Sequence, residues 1–127
     1  MKKLTWLLIV LLALGATTSQ AQSLVNTSWK TFLGGEVNDT LTLHIKQDSS
    51  WVTNTGGAVV VRSACKITKD TVSLQDVEGI YACPGEGVYK IKVIDDMLIF
   101  TLVSDPCEGR SGALPATKWA KTGGGSQ

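Results

Sequence analysis

The chain has 127 residues, three cysteines, a single histidine and a formal charge of +1. That length suits one domain rather than several. A near-neutral balance with no Lys/Arg cluster argues against nucleic acid as a partner, because phosphate backbones are held by basic patches.

The chain opens MKKLTWLLIVLLALGATTSQAQ. Lys2 and Lys3 make a basic start, Leu7 to Leu14 an apolar run, and Ser19-Gln20-Ala21 a small-residue end. This is the pattern of a secretory signal peptide, so residues 1–21 are expected to be removed and the rest exported to the periplasm or the extracellular space. The apolar run falls short of the roughly 20 residues of a spanning helix, and no integral membrane segment is expected in the mature chain. Two of the twelve bases lie in the leader, so ten face eleven acids over residues 22–127 and the formal charge becomes −1. The end, Thr122-Gly-Gly-Gly-Ser-Gln127, reads as a flexible tail by composition, which leaves residues 22–121 as the domain.

From there the apolar residues recur with a period of two, as in half-buried strands. The runs in chain order are Ser28–Leu33, Thr40–Lys46, Trp51–Asn54, Ala58–Ile67, Thr71–Leu74, Gly87–Ile94, Met97–Val103 and Thr117–Lys121. Turn-formers separate them, notably Gly34-Gly35, Asp48-Ser49-Ser50, Gly56-Gly57, Lys69-Asp70 and Asp95-Asp96. No segment carries the helical stripe of a parallel crossover, so an all-β, sequential antiparallel sheet is expected. Eight such strands close into an up-and-down barrel, with a β-sandwich as the alternative. The hairpin-length links favour the barrel. Its expected inward side chains are Trp29 or Phe32, then Leu41, Leu43, Ile45, Trp51, Cys65, Ile67, Val72, Leu74, Tyr89, Ile91, Val93, Leu98, Phe100 and Leu102.

The two long links, residues 75–86 and 104–116, each contain a cysteine beside a proline: Cys83-Pro84 and Pro106-Cys107. A hairpin over 87–103 brings its outer ends together, and in an exported chain it favours a Cys83–Cys107 disulfide. That bond would close a loop of about 25 residues and contribute roughly 3.5 kcal/mol on the chain-entropy account. Cys65 is in phase with the inward Ile67 and reads as a small buried hydrophobe, although a Cys65–Cys83 bond leaving Cys107 free is the competing arrangement.

Candidate chemistry is sparse. A zinc site wants clustered Cys and His, and here the cysteines are scattered and His44 is expected to point outward, so neither metal nor other cofactor is expected. A cysteine or serine nucleophile needs a base, and His44 is the only imidazole. Asp95-Asp96 reads as a turn rather than an acid–base couple. The chain is therefore not expected to be an enzyme.

The stretch Cys83-Pro-Gly-Glu-Gly-Val-Tyr89, then Leu98-Ile-Phe100, Asp105-Pro-Cys-Glu-Gly-Arg110 and Leu114…Trp119 resembles small exported lipocalin-like domains of the calycin superfamily. In them a C-x-x-x-G-x-Y strand start, a D-x-C-x-x-R loop and a late tryptophan follow in this order. The resemblance spans about Leu24 to Lys121, and Thr27-Ser28-Trp29 keeps the tryptophan but not the glycine of the family's G-x-W start. It implies an eight-stranded barrel open at one end, closed at the other by Trp29 under a stacked basic residue, for which Arg110 and Lys121 are the candidates. It also implies a small apolar ligand inside, and Leu43, Trp51, Ile67, Tyr89, Ile91 and Phe100 are the expected contacts, with Trp119 structural. The alternative is a packed, ligand-free barrel serving as a protein-interaction module through its loops, such as an inhibitor or a surface-assembly subunit of unknown partner.

Overall fold

A computed structural model describes residues 24–122. The expected signal peptide lies outside them, as does the expected tail from residue 123 onward. Thr122 itself is held, with its N–H and its hydroxyl both donating to the Ser28 carbonyl at 3.0 and 3.1 Å.

Eight antiparallel strands form a closed barrel in sequential order: β1 Thr27–Leu33, β2 Asp39–Ile45, β3 Ser49–Thr53, β4 Val59–Thr68, β5 Thr71–Glu78, β6 Glu86–Ile94, β7 Met97–Ser104 and β8 Lys118–Lys121. β1 pairs with both β2 and β8, so the sheet has no free edge and the sandwich alternative does not apply. The alternation explains the closure. Leu41, Leu43 and Ile45 are buried along β2, Tyr89 and Ile91 along β6, and Leu98 and Phe100 along β7, while the residues between them face solvent. The β6–β7 hairpin turns on Asp95 and Asp96 with φ of 53° and 60°, the pair of positive angles a two-residue I′-type turn needs. A helix, α1 Glu108–Ala113, occupies the last long link, which the strand pattern leaves as loop.

The up-and-down order sorts the connections between two ends. Residues 34–38, 54–58, 79–85 and 105–117 lie at one end, here the mouth. The short turns at 46–48, 69–70 and 95–96 lie at the other, the floor, together with the start of β1 and the end of β8. Leu24 and Trp29 are buried near the floor, and the Trp29 indole N–H donates to the Thr27 hydroxyl at 2.8 Å. Cys83 and Cys107 meet at the mouth at disulfide distance, with Cα atoms 6.1 Å apart, and Cys65 is free and buried. The competing Cys65–Cys83 arrangement is therefore not the one adopted.

One alternative is decided and one inward expectation fails at the mouth. Phe32 is exposed and Trp29 is the inward residue of β1. Leu102 is also exposed, in line with the register shift between Val88 and Tyr89 that disturbs the β6–β7 ladder at that level.

Burial separates the two β7 leucines clearly, at 0% exposure for Leu98 and 44% for Leu102. Leu98→Ala should lower stability by about 2–5 kcal/mol and Leu102→Ala by less than about 1 kcal/mol. Urea denaturation reads both as shifts of the midpoint at constant slope.

Candidate functional site

The barrel is not filled by its own side chains. A cavity of about 420 Å³ runs from its interior to the mouth. Its inner wall is apolar, with Leu43, Ile45, Ile67, Ile91, Leu98 and Phe100. Leu33, Val37, Tyr81 and Leu114 border it at the mouth. Ser50, Ser63 and Cys65 are among its uncharged polar residues, with Ser50 and Cys65 close to the 46–48 turn at the floor, and the charged residues bordering it are Asp76, Glu108 and Arg110. Burial and a nearby Asp48 raise the Cys65 thiol to about 11, against a smaller opposing hydrogen bond from Ser50, so it stays protonated and unreactive at neutral pH.

The mouth is built around one ion pair. Asp105 ends the β7 side of the last link and Arg110 sits on α1, placed there because Cys107 caps the helix, its sulfur accepting the Arg110 N–H at 3.3 Å. The guanidinium grips Asp105 with two parallel bonds, Nε to Oδ2 at 2.7 Å and Nη2 to Oδ1 at 2.8 Å. Nη2 also donates to the Gly85 carbonyl at 2.8 Å, which ties α1 to the β5–β6 link. Nη1 stands 3.2 Å from Asp76 Oδ2 without an aligned hydrogen bond. Asp76 in turn accepts from the Ser63 hydroxyl at 2.7 Å and from the Cys83 N–H at 2.9 Å.

Two β6 residues make this packing possible. A Cβ on Gly87 would stand 2.5 Å from Asp105 Oδ2 and 2.9 Å from Arg110 Nε, so only glycine leaves room for the pair. Tyr89, wholly buried, donates its hydroxyl to Asp105 Oδ2, and the Cys107 N–H reaches Oδ1 at 2.9 Å. The Asp105 carboxylate thus accepts four bonds, about as many as its lone pairs allow. Burial alone would raise its pKa, but the bonds from Arg110, Tyr89 and Cys107 together outweigh that and hold it at about 2. Burial and the Asp105 charge push the Tyr89 phenol up, out of the range in which it could act as an acid. Every residue of the two sequence motifs, Cys83, Gly87 and Tyr89 with Asp105, Cys107 and Arg110, therefore meets in one cluster. This fulfils the expectation that the loop staples the hairpin.

The expected ligand contacts divide. Leu43, Ile67, Ile91 and Phe100 line the cavity. Tyr89 does not, because its ring lies in the core edge-on to Phe100 at 6.1 Å and its hydroxyl is held by Asp105. Trp51 is a correction. It pairs with His44 and with Arg62, so although it borders the cavity, its indole lies on the outer wall, stacked on His44 at 5.1 Å with Arg62 5.6 Å from the ring centroid. The inward residues of β3 are Ser50 and Val52, which a search for apolar phase passes over in favour of the tryptophan. His44 is outward as expected, bonded to the Ser28 and Thr53 hydroxyls.

Of the two candidates for stacking over Trp29, the structure rules out Arg110 and places Lys121 opposite Trp29 across β1–β8. Arg110 belongs to the mouth and is held by Asp105, far along the barrel from the floor, and Lys121 is an exposed backbone neighbour of Trp29. The cation–ring contact among the described residues is Arg62 over Trp51. Trp119 is buried and borders the cavity. Ser63 and Asp76 escaped the sequence reading, yet both continue a visible phase: Ser63 with Cys65 and Ile67, Asp76 with Val72 and Leu74. Among the described residues no group of three or more His, Cys, Asp or Glu is arranged to hold a metal.

Gly87→Ala should cost about 2–4 kcal/mol by forcing the buried pair apart, measured by thermal or urea unfolding. The pair also sets an acid limit. The folded Asp105 carboxyl ionises at about 2 against an ordinary 3.8, so the unfolded chain takes up the proton first. Its contribution, about 2 kcal/mol, is full above the unfolded value and is lost as the pH falls through the folded one. Stability measured down this window should fall less steeply in Asp105→Asn, whose starting stability is lower. Comparison of the chain with protein-family models, with curated proteins and with solved structures finds no match.

Proposed function

We propose that the chain is an exported, non-catalytic lipocalin-like carrier that holds a small hydrophobic molecule inside its barrel. The cavity carries this reading. At about 420 Å³ it falls within the size range of small-molecule sites, and its walls are mostly apolar with a few polar groups, the charged ones at the mouth, as such sites are. A barrel evolved only as a scaffold would be expected to fill that space, since each unfilled volume forfeits packing energy. The Cys83–Cys107 pair suits an oxidising compartment and so supports export. The two motifs, now seen to serve one cluster, support the lipocalin-like resemblance.

A second reading keeps the barrel as a protein-interaction module. It draws on exposed apolar side chains near the mouth, among them Phe32, Val77, Ile80 and Val103.

Titration with an environment-sensitive apolar dye distinguishes the two. A carrier should show saturable binding that the folded protein loses on unfolding. Ile67→Phe, which projects extra volume into the cavity, should weaken binding by at least about tenfold while the protein remains folded. No saturable binding, or binding indifferent to Ile67→Phe, favours the interaction module.

A further inference from the structure

The cavity has a charge asymmetry that bears on what it would carry, and the inference below rests on the carrier reading. Its inner wall bears no charged side chain; all three bordering charges stand toward the mouth. Arg110 is the natural anchor for an anionic head group, but it is already occupied. Two of its nitrogens are bonded to Asp105 and the third lies 3.2 Å from Asp76. Asp105 is fully buried, and the Asp76 and Arg110 side chains are only 5% and 8% exposed. One guanidinium therefore faces two carboxylates in a place shielded from water, and a negative charge is left over beside the cavity.

The surroundings reinforce that sign. Glu36, Asp39, Glu78, Glu86 and Glu108 stand on the loops or strand ends of the mouth. Among the described residues the bases on those same segments are Arg110 and the exposed Lys118, and Arg62 on the nearby wall is paired with Glu78 at 3.0 Å. The lysines gather toward the floor instead, with Lys46, Lys66, Lys69, Lys92 and Lys121 on its turns or strand ends. A recess whose rim carries one sign focuses the field at its opening and concentrates ions of the other sign there. A carboxylate entering it would lose water and meet excess negative charge, and both terms oppose binding.

We infer that the cavity takes amphiphiles whose apolar body fills the inner barrel and whose polar end, left at the mouth beside Asp76 and Glu108, is a cation of the alkyl- or arylamine class, and that it discriminates against fatty-acid anions.

The test uses three molecules of one chain length, decylamine, decanol and decanoate, each displacing an apolar dye from the protein at neutral pH and below its micelle concentration. Decylamine should compete best and decanoate worst, with a ratio of at least roughly tenfold between them. Raising the ionic strength should shrink that ratio. Asp76→Asn and Glu108→Gln should each shrink it too, and Glu108 lies exposed on α1, so its variant keeps the test in force if the other does not fold. Decanoate binding as tightly as decylamine overturns the inference, as does a ratio that neither salt nor the Glu108 variant moves. Decanol reports on the apolar cavity alone. If decanol binds and the charged pair shows no preference, only the charge inference falls; if none of the three competes, the carrier reading falls with it.

Discussion

The Asp105–Arg110 pair is the contact on which the mouth of this barrel depends. A buried ion pair is not by itself a large source of stability, because removing both charges from water offsets most of their attraction. Its importance here is geometric. The planar guanidinium reaches Asp105, Gly85 and Asp76 at once, and those three groups belong to the β7–β8 link, the β5–β6 link and β5. Shape and charge together fix where α1 lies. A hydrophobic substitute could match the packing but would not specify that three-way meeting.

The rest of the mouth follows from accommodating the pair. Gly87 is bare because any side chain would meet the carboxylate, and Tyr89 is tyrosine because Asp105 has a lone pair for its hydroxyl. The Cys83–Cys107 link then joins the same two connections covalently. At Gly79, with φ of 121°, a Cβ would run into the Val60–Val61 backbone, so glycine lets the β5–β6 link lie over the start of β4, where the Tyr81 N–H donates to the Val60 carbonyl at 3.0 Å. Covalent, ionic and steric constraints thus converge on one end. At the other end, tight turns and the buried Leu24 and Trp29 suffice.

That difference also explains what was legible in the sequence. The architecture was readable because period-two alternation and turn residues act locally, and the closed barrel needs little else. The cysteine pairing was readable because a hairpin brings its ends together whatever its details. The polar lining was not, since the rule that places apolar residues inside assigns Trp51 inward and leaves Ser63 and Asp76 aside. Trp51 lies outward because His44 and Arg62 flank it with ring and guanidinium partners, a pairing set by register across three strands. Asp76 is tolerated inward because Arg110 arrives from a helix 34 positions later in the chain. No local pattern encodes that arrival.

The arginine of the Asp105–Arg110 pair also faces a second carboxylate, Asp76, 3.2 Å from its Nη1. Holding α1 requires one carboxylate, and Asp105 with its four hydrogen bonds is sufficient for that. Asp76 is a second carboxylate on the same cation, and burying it without a full partner costs free energy that an asparagine or an apolar residue would not. The Ser63 hydroxyl and the Cys83 N–H reduce that cost. The mouth therefore combines a frame set by Asp105 with a second buried carboxylate, Asp76, that shares its arginine but is held by different hydrogen bonds.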